Sequence, residues 1–142
     1  MRKIGKEFNC ISIKIRRAIG NLPAISKLNN LSGSNAFIIV YLYKNKNEVY
    51  QKDIEKEFGM TRSTVSSILK LMEQKNLLYR ENVNGDARLK KIVLTDVAKD
   101  YAIQVINDLD NFEKKLAKDI TEEEISVVEN VFNKINNNLL EV

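Results

Sequence analysis

Short hydroxyl and basic side chains are concentrated between Thr61 and Lys70, a stretch that contains no acidic residue. Serine and threonine are poor helix formers because their hydroxyls compete for backbone hydrogen bonds, so they are an unusual choice for an ordinary solvated helix face. They suit a helix that lies against double-stranded DNA, where hydroxyls reach bases and phosphates and where Arg and Lys contact guanine and phosphate. The residues predicted to contact DNA here are Thr61, Arg62, Ser63, Thr64, Ser66, Ser67 and Lys70.

A second group of candidate DNA contacts lies on and between two runs with strand character, residues 77–80 and 90–95. The polar segment 82–89 is predicted to turn the chain and to carry Arg88 near its tip. An arginine on a projecting hairpin can enter a minor groove, where the negative potential is strong. In the alternative, Asp86 and Arg88 form a surface ion pair of little energetic value. The groove contact and the ion pair are compatible if Asp86 orients Arg88 or nearby backbone donors for the groove. The residues of this group predicted to contact DNA are Arg80, Asp86, Arg88, Lys90 and Lys91.

Two helices and a ribbon must position these side chains. Periodicity predicts a helix over 51–58, and Gly59 suits the position after it, where a positive φ is needed. Thr61 then caps the helix that carries the hydroxyl residues. Its inward stripe is Val65, Ile68, Leu69 and Met72. Two helices across a tight turn, followed by a two-stranded ribbon, describe a winged helix-turn-helix.

The remaining helices complete a mainly α fold in the order α-α-α-α-β-β-α-α. Pro23 is expected to end or bend the first helix, because proline removes a backbone donor and clashes with the preceding turn. The second helix is expected to start near Ser32. Its run 37–43 also has the β-propensity of a buried strand, but helix is preferred because the next helix needs a neighbour to pack on.

Apolar stripes on the helices outside the winged helix-turn-helix predict a dimer interface. Apolar residues of the first helix are spaced three and four positions apart, which makes one stripe. The fifth helix, capped by Thr95 and Asp96, is expected to run for roughly twenty residues. The sixth begins with the capping-box pattern of Thr121 and Glu124. The predicted interface residues are Ile4, Phe8, Ile11, Ile15, Phe112, Leu116, Ile125, Val128, Phe132, Ile135 and Leu139. In the competing interpretation, these stripes pack within one six-helix globule.

Composition sets the broad class. The chain has 142 residues, 44% hydrophobic, with one cysteine and no histidine, which predicts no disulfide, no metal site, no cofactor and no enzyme. No membrane span or signal peptide is expected, so the predicted location is cytoplasmic. Through Thr95 there are 18 Lys and Arg against 8 Asp and Glu, and beyond it 5 against 11. The expected divisions are 1–30 for dimerisation, 31–95 for DNA binding and 96–142 for dimerisation.

The chain resembles the MarR family of transcriptional regulators over nearly its whole length. The resemblance is sharpest in GMTRSTVSSILKLMEQKNLLYRENVNGDARLKKIVLT, where Asp86-Ala87-Arg88 is similar to the family's Asp-x-Arg wing motif. It implies a homodimer held by the first, fifth and sixth helices, with recognition helices in adjacent major grooves of a pseudo-palindromic operator. It also implies small ligands between the dimerisation and DNA-binding parts; the hypotheses for this chain are a small aromatic effector at that place or no effector at all. The departures are Asn76 for the usual glycine, Tyr50 for a Thr or Ser cap, and Gly33 for a frequent proline.

The expected function is a sequence-specific, double-stranded DNA-binding repressor that a small ligand or an oxidant releases. Cys10 has two interpretations. It is a redox sensor, because nearby basic residues favour a thiolate and the family's peroxide-sensing branch also has a first-helix cysteine, or it is an inert cysteine. A rival function is a protein–protein interaction module that uses a winged helix without DNA. That rival predicts an acidic or apolar outer face, which residues 61–70 lack.

Overall fold

The computed structural model describes residues 3–27 and 33–142. Within them, the prediction of a mainly α fold with one antiparallel hairpin is confirmed. Contacts divide the chain into two compact units, Met1–Asp110 and Asn111–Val142, which does not test the predicted three-part division. The elements are α1 Ile4–Gly20, α2 Pro23–Ser26, α3 Gly33–Lys44, α4 Gln51–Phe58, α5 Arg62–Gln74, β1 Leu78–Val83, β2 Asp86–Leu94, α6 Asp96–Leu116 and α7 Glu122–Leu139. None of the described helices is long and apolar enough to span a membrane.

The first helix ends shortly before Pro23, as predicted, but Pro23 itself begins a second, short helix. Helix α1 already ends at Gly20, and Pro23 is the first residue of α2, where its fixed φ suits the helix start and its missing N–H leaves no bond unmade. Helix α6 holds this short helix at Ala24. The Ala24 N–H donates to Asp108 Oδ2 at 2.8 Å, and the Ala24 carbonyl accepts from the Tyr101 hydroxyl. Burial raises the pKa of Tyr101 to about 12, so this phenol stays a donor.

The segment with strand propensity is helical, as predicted. Helix α3 contributes Ile38 and Ile39 to the core of the first unit, and both are fully buried. Its predicted start near Ser32 lies outside the described residues. The core beneath α4, α5 and the hairpin also contains Ile54, Val65, Leu69, Met72, Leu77, Leu78, Ile92 and Leu94.

The predicted helix ends and caps of α4 and α5 are confirmed. Gly59 ends α4 with φ +60°, and Thr61 accepts the Thr64 N–H at 3.3 Å as the cap of α5. Asn76, the departure from the usual glycine, has φ +57°, which asparagine tolerates better than most residues. At Tyr50 the hydroxyl does not cap α4 but donates to Glu48 Oε2 at 2.7 Å, while Asp53 accepts the Tyr50 N–H at 2.8 Å.

The hairpin turn is much shorter than predicted. Residues 82–89 were expected to turn the chain, but β1 continues to Val83 and β2 starts at Asp86, so only Asn84 and Gly85 form the turn. Both have positive φ, +30° and +78°, as a two-residue turn between twisted strands requires. Arg88 is therefore a strand residue. The Ile92 N–H also donates to the Val49 carbonyl at 2.8 Å, which attaches the hairpin to the α3–α4 connection.

The second unit contains α7, whose predicted capping box is confirmed. The Glu124 N–H donates to Thr121 Oγ1 at 3.2 Å, and the Thr121 N–H donates to Glu124 Oε2 at 2.8 Å. No residue of α7 is buried, although the helix has an apolar stripe. Val128 and Leu139 are among its exposed apolar side chains.

Thr95 is expected to contribute more to the free energy of unfolding than an ordinary helix cap does. Its Oγ1 accepts the Ala98 N–H at 3.2 Å and donates to the Asn76 carbonyl at 2.8 Å. Thr95→Ala should lower the free energy of unfolding by about 1–2 kcal/mol, because both bonds are lost. Thr95→Ser keeps the hydroxyl and should recover most of this. Urea unfolding of the full chain measures both, and equal loss in the two variants would contradict the bonding described.

Candidate nucleic-acid interface

The hydroxyl and basic residues of α5 share one exposed face. Val65, Leu69 and Met72 are fully buried on the other side of the helix, which fixes its rotation. This leaves every predicted contact residue of the helix exposed, namely Arg62, Ser63, Thr64, Ser66, Ser67 and Lys70, together with the cap Thr61. The Thr61 hydroxyl is already used, since it caps the helix and donates to Thr64 Oγ1 at 2.9 Å.

Strand register places two basic residues of the hairpin on one face. Arg80 pairs with Ile92, and residues two apart along a strand point to the same side, so Lys90 shares that face. Arg88 lies beyond a register shift between Asn82 and Val83, on the irregular tip of the hairpin. Ile92 is buried in the core, so this is the inner face of the hairpin. Lys91 has the opposite direction and lies on the outer face.

A basic cleft of about 550 Å³ opens beside this inner face. It is lined by Tyr50, Gln51, Lys52, Glu55, Arg62, Arg80, Arg88, Leu89 and Lys90. We call it the basic cleft, because five of these side chains are cationic and one is acidic. The structure thus brings four predicted contact residues together and leaves Lys70 and Lys91 outside the lining.

Lys52 and Gln51 were missed by sequence reasoning. Gln51 Nε2 donates to the Arg62 carbonyl at 3.3 Å, which joins the starts of α4 and α5. Lys52 lies in the first turn of α4, where a positive charge opposes the helix dipole. That local disadvantage is the signal that could have singled it out.

Asp86 orients backbone rather than forming the surface ion pair. Its Oδ1 accepts the Arg88 N–H at 2.9 Å. No ion pair joins Asp86 to Arg88 in the described structure, where the ion pairs of the hairpin involve Arg80 and Lys91. The side chain of Arg88 is therefore available to the cleft.

Two other cations of the wing, Arg80 and Lys91, are held by carboxylates. Arg80 Nε lies 3.3 Å from Glu73 Oε1 of α5, but this buried N–H makes no hydrogen bond, so the contact is an ion pair only. Lys91 Nζ lies 3.3 Å from Glu81 and 3.7 Å from Glu48. The hydrogen bond and charge of Glu81 raise the pKa of Lys91. These two anionic neighbours offset the charge of Lys91, which favours a structural role over a phosphate contact.

Two further candidates are placed but not advanced by the structure. A second cleft of about 300 Å³ lies between the end of α3, the outer face of the hairpin and the start of α6, with Tyr43 and Lys99 in its lining. The aromatic effector itself stays a prediction. Cys10 is exposed on α1, and no described contact involves its thiol, so its redox role stays a prediction. No group of metal-ligating side chains occurs among the described residues.

Comparison with known proteins identifies the fold. Residues 29–89 match the sequence profile described as MarR family. The transcription regulator MarR from Oenococcus oeni PSU-1 is 27% identical, with a TM-score of 0.80 over 95% of this chain and 99% of that one. The chain is therefore similar to the MarR family in sequence over residues 29–89 and in fold over nearly its whole length.

Two further regulators are similar at lower identity. The S. aureus MepR–DNA complex has a TM-score of 0.87 at 24% identity, covering 98% of this chain and 99% of that one. The uncharacterized HTH-type transcriptional regulator YdgJ of Bacillus subtilis (strain 168) is 24% identical over 109 residues. That match spans 77% of this chain and 66% of the relative, just under two thirds of its length.

The ammonium group of Lys91 is expected to titrate above its ordinary pKa of 10.5. The ion pair favours the charged form, so its contribution is present below that value and is lost as pH rises through the raised pKa. Glu81→Gln should lower the pKa of Lys91, because Glu81 is the main cause of the shift. An NMR titration of the lysine side chains measures both forms. An unchanged Lys91 midpoint in Glu81→Gln would mean that this pair does not form in solution.

Proposed function

We propose that this protein is a double-stranded DNA-binding transcriptional regulator of the MarR family that binds a pseudo-palindromic operator as a homodimer and represses by occupying a promoter. The observation that carries the proposal is the placement of the exposed hydroxyl-rich face of α5 next to the basic cleft. A hydroxyl and basic helix face suits base edges and phosphates, and the adjoining cations suit the DNA backbone.

Each protomer supplies one recognition helix. In a symmetric dimer the two α5 helices would enter major grooves about 10 bp apart, so that the symmetry of the protein matches that of the operator. Arg62, Ser63, Thr64, Ser66 and Ser67 would supply sequence preference, and Arg88 would enter the flanking minor groove. The MepR structure, in which a similar fold was crystallised with DNA, supports this arrangement.

Exposed apolar faces support the dimer. Ile4 and Ile11 of α1 are 57% and 51% exposed, and α7 in the second unit buries none of its residues. Isolated exposed apolar residues are normal, but a helix that keeps a whole apolar stripe in water is typical of an interaction surface. A second copy of the chain would cover these faces. Release by a small ligand or an oxidant completes the proposal, and the site of action would be the cytoplasm, where the DNA is.

The rival adaptor function has less support. An adaptor surface on α5 would need apolar or acidic groups, whereas the exposed face of this helix contains Arg62, Lys70 and hydroxyl side chains. No catalytic function is proposed, because no paired carboxylates or nucleophile and base converge in the two clefts described.

Fluorescence anisotropy with labelled DNA from upstream of the protein's own gene tests the proposal. Binding should be tighter than to an unrelated duplex of equal length, and log affinity should fall linearly with log salt concentration. Equal and weak binding to both duplexes at low salt would overturn the function proposed.

Arg88→Ala should weaken DNA binding, lower the salt slope and leave the dimer intact. The exposed side chain contributes charge to the groove, while the Arg88 N–H bond to Asp86 is a backbone bond that survives the substitution. Loss of one charge contact should lower the salt slope by about 0.9 per protomer. Lys118→Ala, an exposed cation of the second unit, is the control. Wild-type affinity in Arg88→Ala would refute the role of the wing arginine.

Val128→Asp should shift the protein from dimer to monomer, because it places a charge in the apolar stripe of α7. Asn130→Asp adds the same charge on the polar side of the helix and should leave the dimer unchanged. Sedimentation equilibrium measures the mass, and circular dichroism checks that both variants stay helical. A dimeric Val128→Asp protein would exclude this helix face from the interface.

A further inference from the structure

The basic cleft separates the two parts of the protein that would read DNA. On one side lies the exposed face of α5, proposed for the major groove, and on the other lies the wing with Arg88, proposed for the flanking minor groove. A major and an adjacent minor groove are divided by one sugar–phosphate strand. That strand must therefore pass through the space between α5 and the wing.

We propose that the basic cleft holds the phosphates of this dividing strand and that Lys52 of α4 is one of their contacts. The inference rests on the proposed function and deepens it, because it assigns a backbone segment to a cleft and adds a third element, α4, to the interface. It also gives the residues separate roles: α5 would read bases, whereas Lys52, Arg80 and Lys90 would fix the position of the strand.

Charge is the first support. Lys52, Arg62, Arg80, Arg88 and Lys90 converge from α4, α5 and both strands of the hairpin, and Glu55 is the one acid of the lining. Concentrating cations from four elements in one cleft costs electrostatic energy in the free protein. A polyanion that enters the cleft offsets this repulsion.

Helix position is the second support. Lys52 lies in the first turn of α4, and Arg62 is the first residue of α5, so both cations lie at the positive ends of helix dipoles. Neither position favours a cation in the free protein. Local rules of this kind are broken most often at functional sites. A bound phosphate reverses the disadvantage, because an anion is favoured at a helix start.

Arg80 is the third support. Arg80 lines the cleft, and its Nε lies 3.3 Å from Glu73 Oε1, so this carboxylate holds one side of the guanidinium in place. A planar guanidinium has five N–H donors. A phosphate in the cleft would accept from the donors that do not face Glu73.

Two pairs of matched variants on α4 test the proposal with opposite signs. Lys52→Gln removes a cation from the cleft, and Glu55→Gln removes its acid. Their controls, Lys56→Gln and Glu57→Gln, make the same changes at exposed positions of the same helix that do not line the cleft. Anisotropy is measured over a salt series with the duplex from upstream of the gene and with a random duplex of equal length.

We expect Lys52→Gln to weaken binding to both duplexes by the same factor, since phosphate contacts carry no sequence information. The loss should be on the order of tenfold per contact at 0.1 M salt, with a salt slope lower by about 0.9 per protomer. Glu55→Gln should strengthen binding to both duplexes. The controls should match wild type, and Lys52→Gln should not lower thermal stability, because it removes a cation from a helix start.

The outcomes separate this inference from the function beneath it. If the wild type prefers the upstream duplex but Lys52→Gln and Glu55→Gln behave like their controls, the cleft does not hold the strand and the regulator function stands. If the wild type binds neither duplex, both fail. Phosphate ethylation interference gives a second readout: the set of phosphates whose ethylation prevents binding should lose one position per half-site in Lys52→Gln, and an identical pattern would overturn the inference.

Discussion

The width of the basic cleft depends on how the end of α5 is joined to the two ends of the hairpin. The Asn76 carbonyl accepts from the Thr95 hydroxyl, and the Leu77 carbonyl accepts from the Thr95 N–H at 3.1 Å. The positive φ of Asn76 lets the chain leave α5 and enter β1 within a few residues. One short polar junction therefore sets the direction of the wing relative to the recognition helix, and the core beneath them, with Leu69, Leu78 and Ile92, makes that direction stiff.

Features that depend on neighbouring residues were predictable from the sequence. The caps at Thr61, Thr95 and Thr121 and the glycine end of α4 involve contacts within a few positions, so residue type is enough. The bounds of the hairpin were not predictable in the same way. Segment 82–89 is polar and poor in β-propensity, yet Asn82 pairs with Lys90 and Val83 pairs with Asp86 across the Asn84-Gly85 turn, with a register shift between the two pairs. Pairing across the hairpin outweighs the local preference of each strand.

The same distinction between local sequence and tertiary packing applies to the residues of the candidate site. The exposed residues of α5 could be predicted because a hydroxyl-rich helix face is chemically unusual. Lys52 has a local signal, a cation at a helix start, but its place in the cleft could not be predicted, because its proximity to Arg62 and the wing exists only after α4 and the hairpin have packed against α5. Lys91 stands between these cases: alternation along β2 already separates it from Lys90, once both residues are known to lie in the strand.

The register shift near the tip has a consequence for how the wing can vary in length. Lys90 faces the cleft because it is two residues from Ile92 in the regular part of the ladder, which ends at the pair of Asn82 and Lys90. Arg88 lies beyond that pair, in the irregular tip. Adding or removing one residue in the regular part of β2 would rotate Lys90 to the outer surface, whereas residues added at the tip would leave its direction unchanged. Related wings are therefore free to differ in length at the tip, but the regular part of their strands must change in steps of two to keep the grip on the DNA backbone.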